Sequence, residues 1–135
     1  MSNYALDANT ISYYLRENAG VIEKLSAAIV NGDLVVVAPI AYYEVKRGLV
    51  AIGSTKRQAK LEEFCSLFPV GQSDVAVFDK AAEIYKQLKD DKAIIEDADI
   101  LIAAFCKRYG FTLVTHNVKH FGRVTGLNFV DWITV

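Results

Sequence analysis

The sequence predicts a three-layer α/β/α sandwich around a central, mostly parallel sheet. Three observations carry this reading. Short apolar runs alternate with longer segments whose apolar residues recur at helical spacing. Leu34 to Ala38 is apolar at every position, as in a strand covered on both faces. Strands and helices succeed one another along the chain, which implies right-handed βαβ units with helices on both sides of the sheet.

Tyr4 to Ala8 reads as the first strand. Helices follow at about 10–16 and 20–31, the second carrying Val21, Leu25, Ala28 and Ile29 on one face. Asn31-Gly32-Asp33 is a turn signal before the strand at Leu34 to Ala38. Pro39 suits the first turn of a helix reaching about Ile52. Ser54 is placed to cap the next helix, which aligns Leu61, Phe64, Cys65 and Phe68. An extended stretch surrounds Pro69-Val70, and Ser73 or Asp74 can cap a helix to about Asp91. Glu96 to Tyr109 is a further helix, ended by Gly110. Phe111 to Thr115 and Leu127 to Val130 complete the strands.

A chain of 135 residues fits one domain, expected here to span 1–135. The 53% hydrophobic content excludes a disordered chain. A net charge of −1 provides no global basic field, so any nucleic-acid contact must rest on a local patch. Cys65 and Cys106 are far apart, without metal-ligand spacing, and read as buried thiols in a reducing compartment. Met1-Ser2-Asn3-Tyr4 lacks the pattern of a signal peptide, and no apolar run approaches the ~20 residues that cross a bilayer. A cytoplasmic protein without membrane contact is expected.

Several acids stand where apolar residues would be expected. Parallel sheets bind ligands beyond the carboxyl ends of their strands. Asp7 falls at such an end, as do Thr115, His116 and Asn117. Asp7 could merely cap the next helix, although Asn9 and Thr10 look better placed for that. The Thr-His-Asn run is also compatible with plain turn chemistry. Glu44 shares a helical row with Ile40, Gly48 and Ala51, where a carboxylate is uncommon unless partnered. Its alternatives are a solvated edge or an ion pair with Arg47. Gly48 costs a helix ~1 kcal/mol relative to Ala, and is expected to allow close approach of a backbone or ligand.

Ile95-Glu96-Asp97-Ala98-Asp99 opens a helix with three acids. Helix N-termini favour negative charge, which accounts for Glu96 and Asp97. It accounts less well for Asp99, which heads the apolar row of Ala103 and Cys106. Carboxylates gathered at one point repel one another, and a divalent cation offsets this. Oxygen ligands select hard ions such as Mg²⁺ or Mn²⁺. The sequence has no His/Cys cluster spaced for zinc, no Ser/His/Asp arrangement and no glycine-rich phosphate loop.

Four segments in order carry a resemblance: Leu6 to Asn9, Tyr43 to Gly48, Asp99 to Ala104, and Leu113 to Phe121. Their succession resembles PIN domains, most closely the VapC-like toxins of bacterial toxin–antitoxin pairs. The resemblance runs through Gly126-Leu127 and Asp131-Trp132, so it spans essentially the whole chain. It implies a PIN-like fold and a metal-dependent endoribonuclease that hydrolyses RNA phosphodiester bonds. By position, Asp7, Glu44 and Asp99 match the family's principal metal-binding acids, with Asp97 beside them as a ligand or a cap. Asn9 and Thr115 match residues that order the site, and Asn117 is a candidate to hold a water there. The residue before Phe121 is often acidic in active members, but here it is His120, which puts a two-metal arrangement in doubt.

The resemblance also implies a cognate VapB-like antitoxin, a homodimer, and transfer RNA or another structured RNA as substrate. Lys46, Lys119, His120 and Arg123 flank the acidic segments and are the candidates for RNA contact. Tyr13, Tyr14 and Tyr42 are aromatic candidates for base stacking. The alternative class is a PIN-fold module that binds RNA or protein without cleavage, kept open by His120. A phospho-acceptor receiver domain is disfavoured, since the second strand ends in Ala38-Pro39 with no acceptor Asp.

Overall fold

The computed structural model describes residues 1–134. Four short strands build the sheet: β1 (Asn3–Leu6), β2 (Leu34–Val37), β3 (Thr112–Val114) and β4 (Phe129–Val130). Their spatial order is β2-β1-β3-β4, and every ladder is parallel. β1 is central, with Ala5 opposite both Val36 and Leu113.

The side chains of each strand divide between two cores. Ala5, Val36 and Leu113 face one core, while Leu6, Val35, Val37 and Val114 face the other. This is the period of two expected of a strand buried on both sides. The second core is covered by α1 (Ala8–Leu15), α2 (Ala19–Asn31) and α4 (Thr55–Leu67), and α3 (Pro39–Ala51) adds Val45 and Leu49. The first is covered by α5 (Val75–Asp90), α6 (Asp97–Tyr109) and α7 (Val118–Phe121). The expected three layers are therefore present.

Element ends follow local chemistry. Asn18, Ser54 and Asp74 cap α2, α4 and α5 by accepting from backbone N–H groups. Gly32 and Gly110 close α2 and α6 in the left-handed region, at φ 74° in each case. Pro69 and Val70 run beside β2, where Val37 N–H donates to the Pro69 carbonyl and Gly71 N–H to the Val37 carbonyl, both at 2.9 Å.

Three sequence expectations need correction. The strands are shorter than expected, since Asp7 and Ala38 serve as the N-cap residues of α1 and α3. The single-turn helix α7 was not foreseen, being too short for apolar periodicity to register. No described backbone approaches Gly48 closely, because a Cβ there would meet nothing within 4 Å.

The order of strands creates a switch point. The chain leaves β1 for β2 on one side and returns through α3 to α6 to β3 on the other. A crevice opens at such a reversal, outside the carboxyl ends of the strands.

Gly71 fixes how α6 lies against the β2 edge. A Cβ at Gly71 would come within 2.8 Å of ring atom Cε1 of Phe105, a buried residue of α6. Gly71→Ala should therefore destabilise the protein by ~1–3 kcal/mol, as overpacking does. Urea unfolding should show a lower midpoint with an unchanged m-value.

Candidate active site

Asp7 ends the central strand, and its backbone N–H donates to the Val114 carbonyl at 2.9 Å, continuing the β1–β3 pairing. The side chain is only 5% exposed. One oxygen accepts from the Ala8 N–H at 2.8 Å and the other from the Thr115 hydroxyl at 2.7 Å. Asp7 is thus the N-cap of α1, a role the sequence had favoured for Asn9 or Thr10. Both of those side chains reach elsewhere: Thr10 donates to the Val114 carbonyl, and Asn9 accepts from the His116 N–H.

Around this carboxylate a polar cavity of ≈ 300 Å³ is lined by Asp7, Ala8, Asn9, Glu44, Glu96, Asp99, Asn117 and His120. Glu44 arrives from α3 and Asp99 from the first turn of α6. α6 leads directly back into β3, which brings its N-terminus to the carboxyl edge of the sheet. Thr115 lies behind Asp7 and is fully buried. The N–H of Asn117 donates to the Thr115 hydroxyl oxygen at 3.0 Å, so one hydroxyl ties the β3 turn to Asp7.

Three carboxyls here sit above their ordinary range. Burial raises Asp7 most, partly offset by its bonds from Thr115 and Ala8. Burial also raises Glu44, followed by the negative fields of Asp7 and Asp99. Asp99 is raised by burial and held back by His120. Glu44 makes no ion pair with Arg47 among the described residues, and that guanidinium lies over the Tyr43 ring at 5.2 Å.

His120 brings Nδ1 within 3.0 Å of Asn117 Nδ2 and 3.4 Å of Asp99 Oδ2. One nitrogen cannot serve both, since a lone pair is needed for the amide and a proton for the carboxylate. The two contacts therefore compete for Nδ1, and the one with Asn117 is the shorter.

The remaining candidates lie outside this cavity. Asp97 is the first residue of α6 and lines a separate hollow with Phe78, Tyr85 and Leu101. Glu96, set aside in the sequence as a helix-end charge, lines the acidic cavity instead. Lys46 approaches Glu62 at 3.8 Å, Lys119 is exposed, and Arg123 reaches the Ile94 carbonyl at 3.5 Å. Among the described residues no three His, Cys, Asp or Glu side chains stand close enough to hold a metal ion as placed. The chemistry of the donors nonetheless fits a hard cation: the cavity offers carboxylate and amide oxygens, one imidazole from His120 and no sulfur.

Fold and site together define a parallel α/β protein with a carboxylate-lined crevice at its switch point. The PIN domain profile matches residues 4–127, and the chain belongs to that family. Ribonuclease VapC1 of Haemophilus influenzae strain R2866 is 29% identical, over 96% of this chain and 97% of its own length. Ribonuclease VapC2 of Rickettsia felis is 24% identical over 96% of this chain. Among solved structures, VapBC-1 from nontypeable Haemophilus influenzae matches with a TM-score of 0.83 at 28% identity, covering 96% of this chain and 98% of that one. VapBC2 from Rickettsia felis, solved bound to a DNA fragment from its promoter, matches with a TM-score of 0.90 over 96% of this chain and 98% of that one; at 24% identity it supports the fold alone.

The raised carboxyls fix the sign of a pH effect. The folded protein holds protons that the unfolded chain has released, so stability falls as pH rises from the ordinary carboxylate range through the raised values. In EDTA at pH 7, Asp99→Asn should therefore melt above the wild type. That gap should close as pH is lowered toward about 4, the ordinary carboxylate range. Thermal melts across this range check it, and a pH-independent gap would contradict it.

Proposed function

We propose that this protein is the ribonuclease toxin of a toxin–antitoxin pair, a metal-dependent endoribonuclease hydrolysing RNA phosphodiester bonds. The observation that carries the reading is the meeting of Asp7, Glu44 and Asp99, from three distant segments, around one cavity at the sheet's switch point. Full-length similarity to proteins named as ribonucleases supports it.

Asp7, Glu44 and Asp99 are the residues that would hold Mg²⁺ or Mn²⁺. When bound, the ion would offset their mutual repulsion, lower the pKa of a water and stabilise charge on the phosphate. The chain's own contribution is orientation. Both oxygens of Asp7 are fixed by Ala8 and Thr115, so its carboxylate faces the cavity in one pose. Asn9 and Asn117 tie the β3 turn to α1 and to Thr115. His120 and the nearby Lys119 and Arg123 are proposed to meet the RNA backbone. Lys46 would first leave Glu62, an exposed contact of small worth.

The proposed partner is a VapB-like antitoxin, in keeping with the VapBC complexes among the similar structures. A groove of ≈ 230 Å³ lined by Tyr14, Leu15, Ile22, Phe64 and Leu67 would suit its apolar tail. Of the apolar residues that α4 aligns in the sequence, Leu61 and Phe68 pack into the core. A single domain over 1–135, a homodimer, a cytoplasmic location and transfer RNA or another structured RNA as substrate complete the proposal. No helix among the described residues is long and apolar enough to cross a membrane. The contact of His120 with Asp99 favours a second reading, a PIN-fold module that binds without cutting.

Magnesium separates the two readings. The wild type should gain thermal stability from magnesium, by RT ln(1 + [L]/Kd), and cut RNA only in its presence. Asp7→Asn and Asp99→Asn should gain less and lose activity by orders of magnitude. Asp97→Asn should keep activity within a few-fold, since Asp97 lines another hollow. A wild type that binds RNA but shows neither magnesium stabilisation nor cleavage would favour the binding module.

A further inference from the structure

Beside the acidic cavity stands a cluster of exposed and half-buried rings. His116 follows Thr115 directly, and its side chain is 44% exposed. Its Nδ1 lies 2.8 Å from Asp131 Oδ2. A carboxylate only accepts, so Nδ1 carries the proton and the Nε2 edge stays open. Behind it, the Tyr13 ring packs at 5.9 Å between centroids, tilted by 51°. The Arg16 guanidinium covers the Tyr13 ring at 4.5 Å and is itself held by the Ser12 carbonyl. Arg16 also lines a second hollow with Arg57.

The turn has backbone anchors of its own, since the Thr115 N–H donates to the Val130 carbonyl at 2.9 Å. The backbone N–H of His116, not its ring, binds Asn9. An exposed imidazole fixed on one edge and backed by an aromatic ring is a preorganised stacking surface. Its position is also set. Asn9 lines the acidic cavity, and Tyr13 follows one helical turn later on α1, about 5.4 Å along the axis.

Resting on the ribonuclease reading, we propose that His116, backed by Tyr13 and fixed by Asp131, is the stacking platform for a nucleobase next to the cleaved phosphate of single-stranded RNA, with Arg16 meeting the phosphate beyond it. His116 and Arg16 are positioning residues. A base presents a π-face whatever its identity, so this platform holds the strand without reading its sequence. The open Nε2 adds one hydrogen bond at the base edge. An unpaired stretch is required, such as a loop of a structured RNA, because a paired base cannot be splayed onto an exposed ring.

The test uses short single-stranded RNA carrying 2-aminopurine, whose fluorescence falls on stacking. Binding is read in the Asp99→Asn protein, so that no cleavage intervenes. His116→Ala on that background should abolish the quenching and raise Kd about tenfold, within the range for loss of one stacked base. His116→Phe should restore both. Arg16→Ala should reduce the slope of log Kd against log salt by roughly 0.7, the loss of one phosphate contact on a single strand. The proposal is overturned if His116→Ala, shown folded by its melt, quenches and binds as its parent does. It is equally overturned if Phe fails to rescue, if the parent gives no quenching, or if His116→Ala weakens only antitoxin binding. Cleavage by the wild type with magnesium is followed separately. Absent cleavage with a His116-dependent quench would remove the ribonuclease reading and leave the platform standing.

Discussion

The buried carboxylate of Asp7 is the constraint around which this protein is arranged. Placing an ionisable group at the carboxyl end of the central strand costs desolvation, visible in its raised pKa. Two donors offset part of that cost, the Ala8 N–H and the Thr115 hydroxyl. Each ties Asp7 to a different structural piece: the start of α1, and the turn after β3. The Thr115 hydroxyl oxygen also accepts from Asn117. One chain of hydrogen bonds therefore joins the central strand, the first helix and the turn that delivers Asn117 and His120.

Glu44 and Asp99 complete the field from the opposite direction. Each belongs to a helix whose neighbouring residues are core: Val45 and Leu49 on α3, Ile100 and Ala103 on α6. Apolar burial thus holds these acids near Asp7, and their charges oppose the placement. Repulsion held in place by packing favours a counter-charge, and a bound cation would turn the opposing terms into favourable ones. The contact from His120 is a weaker answer to the same field, because its Nδ1 is also engaged by Asn117.

Much of this was legible in the sequence because it is written in pattern. The both-face apolar strand, buried from Val35 to Val37 though exposed at Leu34, the Gly110 terminus and the caps at Ser54 and Asp74 are local signals that the structure carries. Of the four acids that line the cavity, Asp7, Glu44 and Asp99 stood out in the sequence and Glu96 did not. The misreadings arise where tertiary geometry decides. Asp7 was passed over as a cap because Asn9 and Thr10 resemble caps, but their side chains bond across to the β3 end. Glu96 and Asp97 are adjacent acids, yet one lines the acidic cavity and the other a separate hollow. The pairing of His116 with Asp131 joins residues on either side of β4 and leaves no periodic trace.

The central claim is that Asp7, Glu44 and Asp99 form one cation site. It is tested most directly by a crystal structure of the protein grown with manganese, using anomalous scattering to locate the ion. The account predicts an anomalous peak with oxygens of all three side chains at ligand distance, about 2.1–2.3 Å. A peak held by other residues, or a cavity left empty at saturating manganese while His120 stays on Asp99, would contradict it.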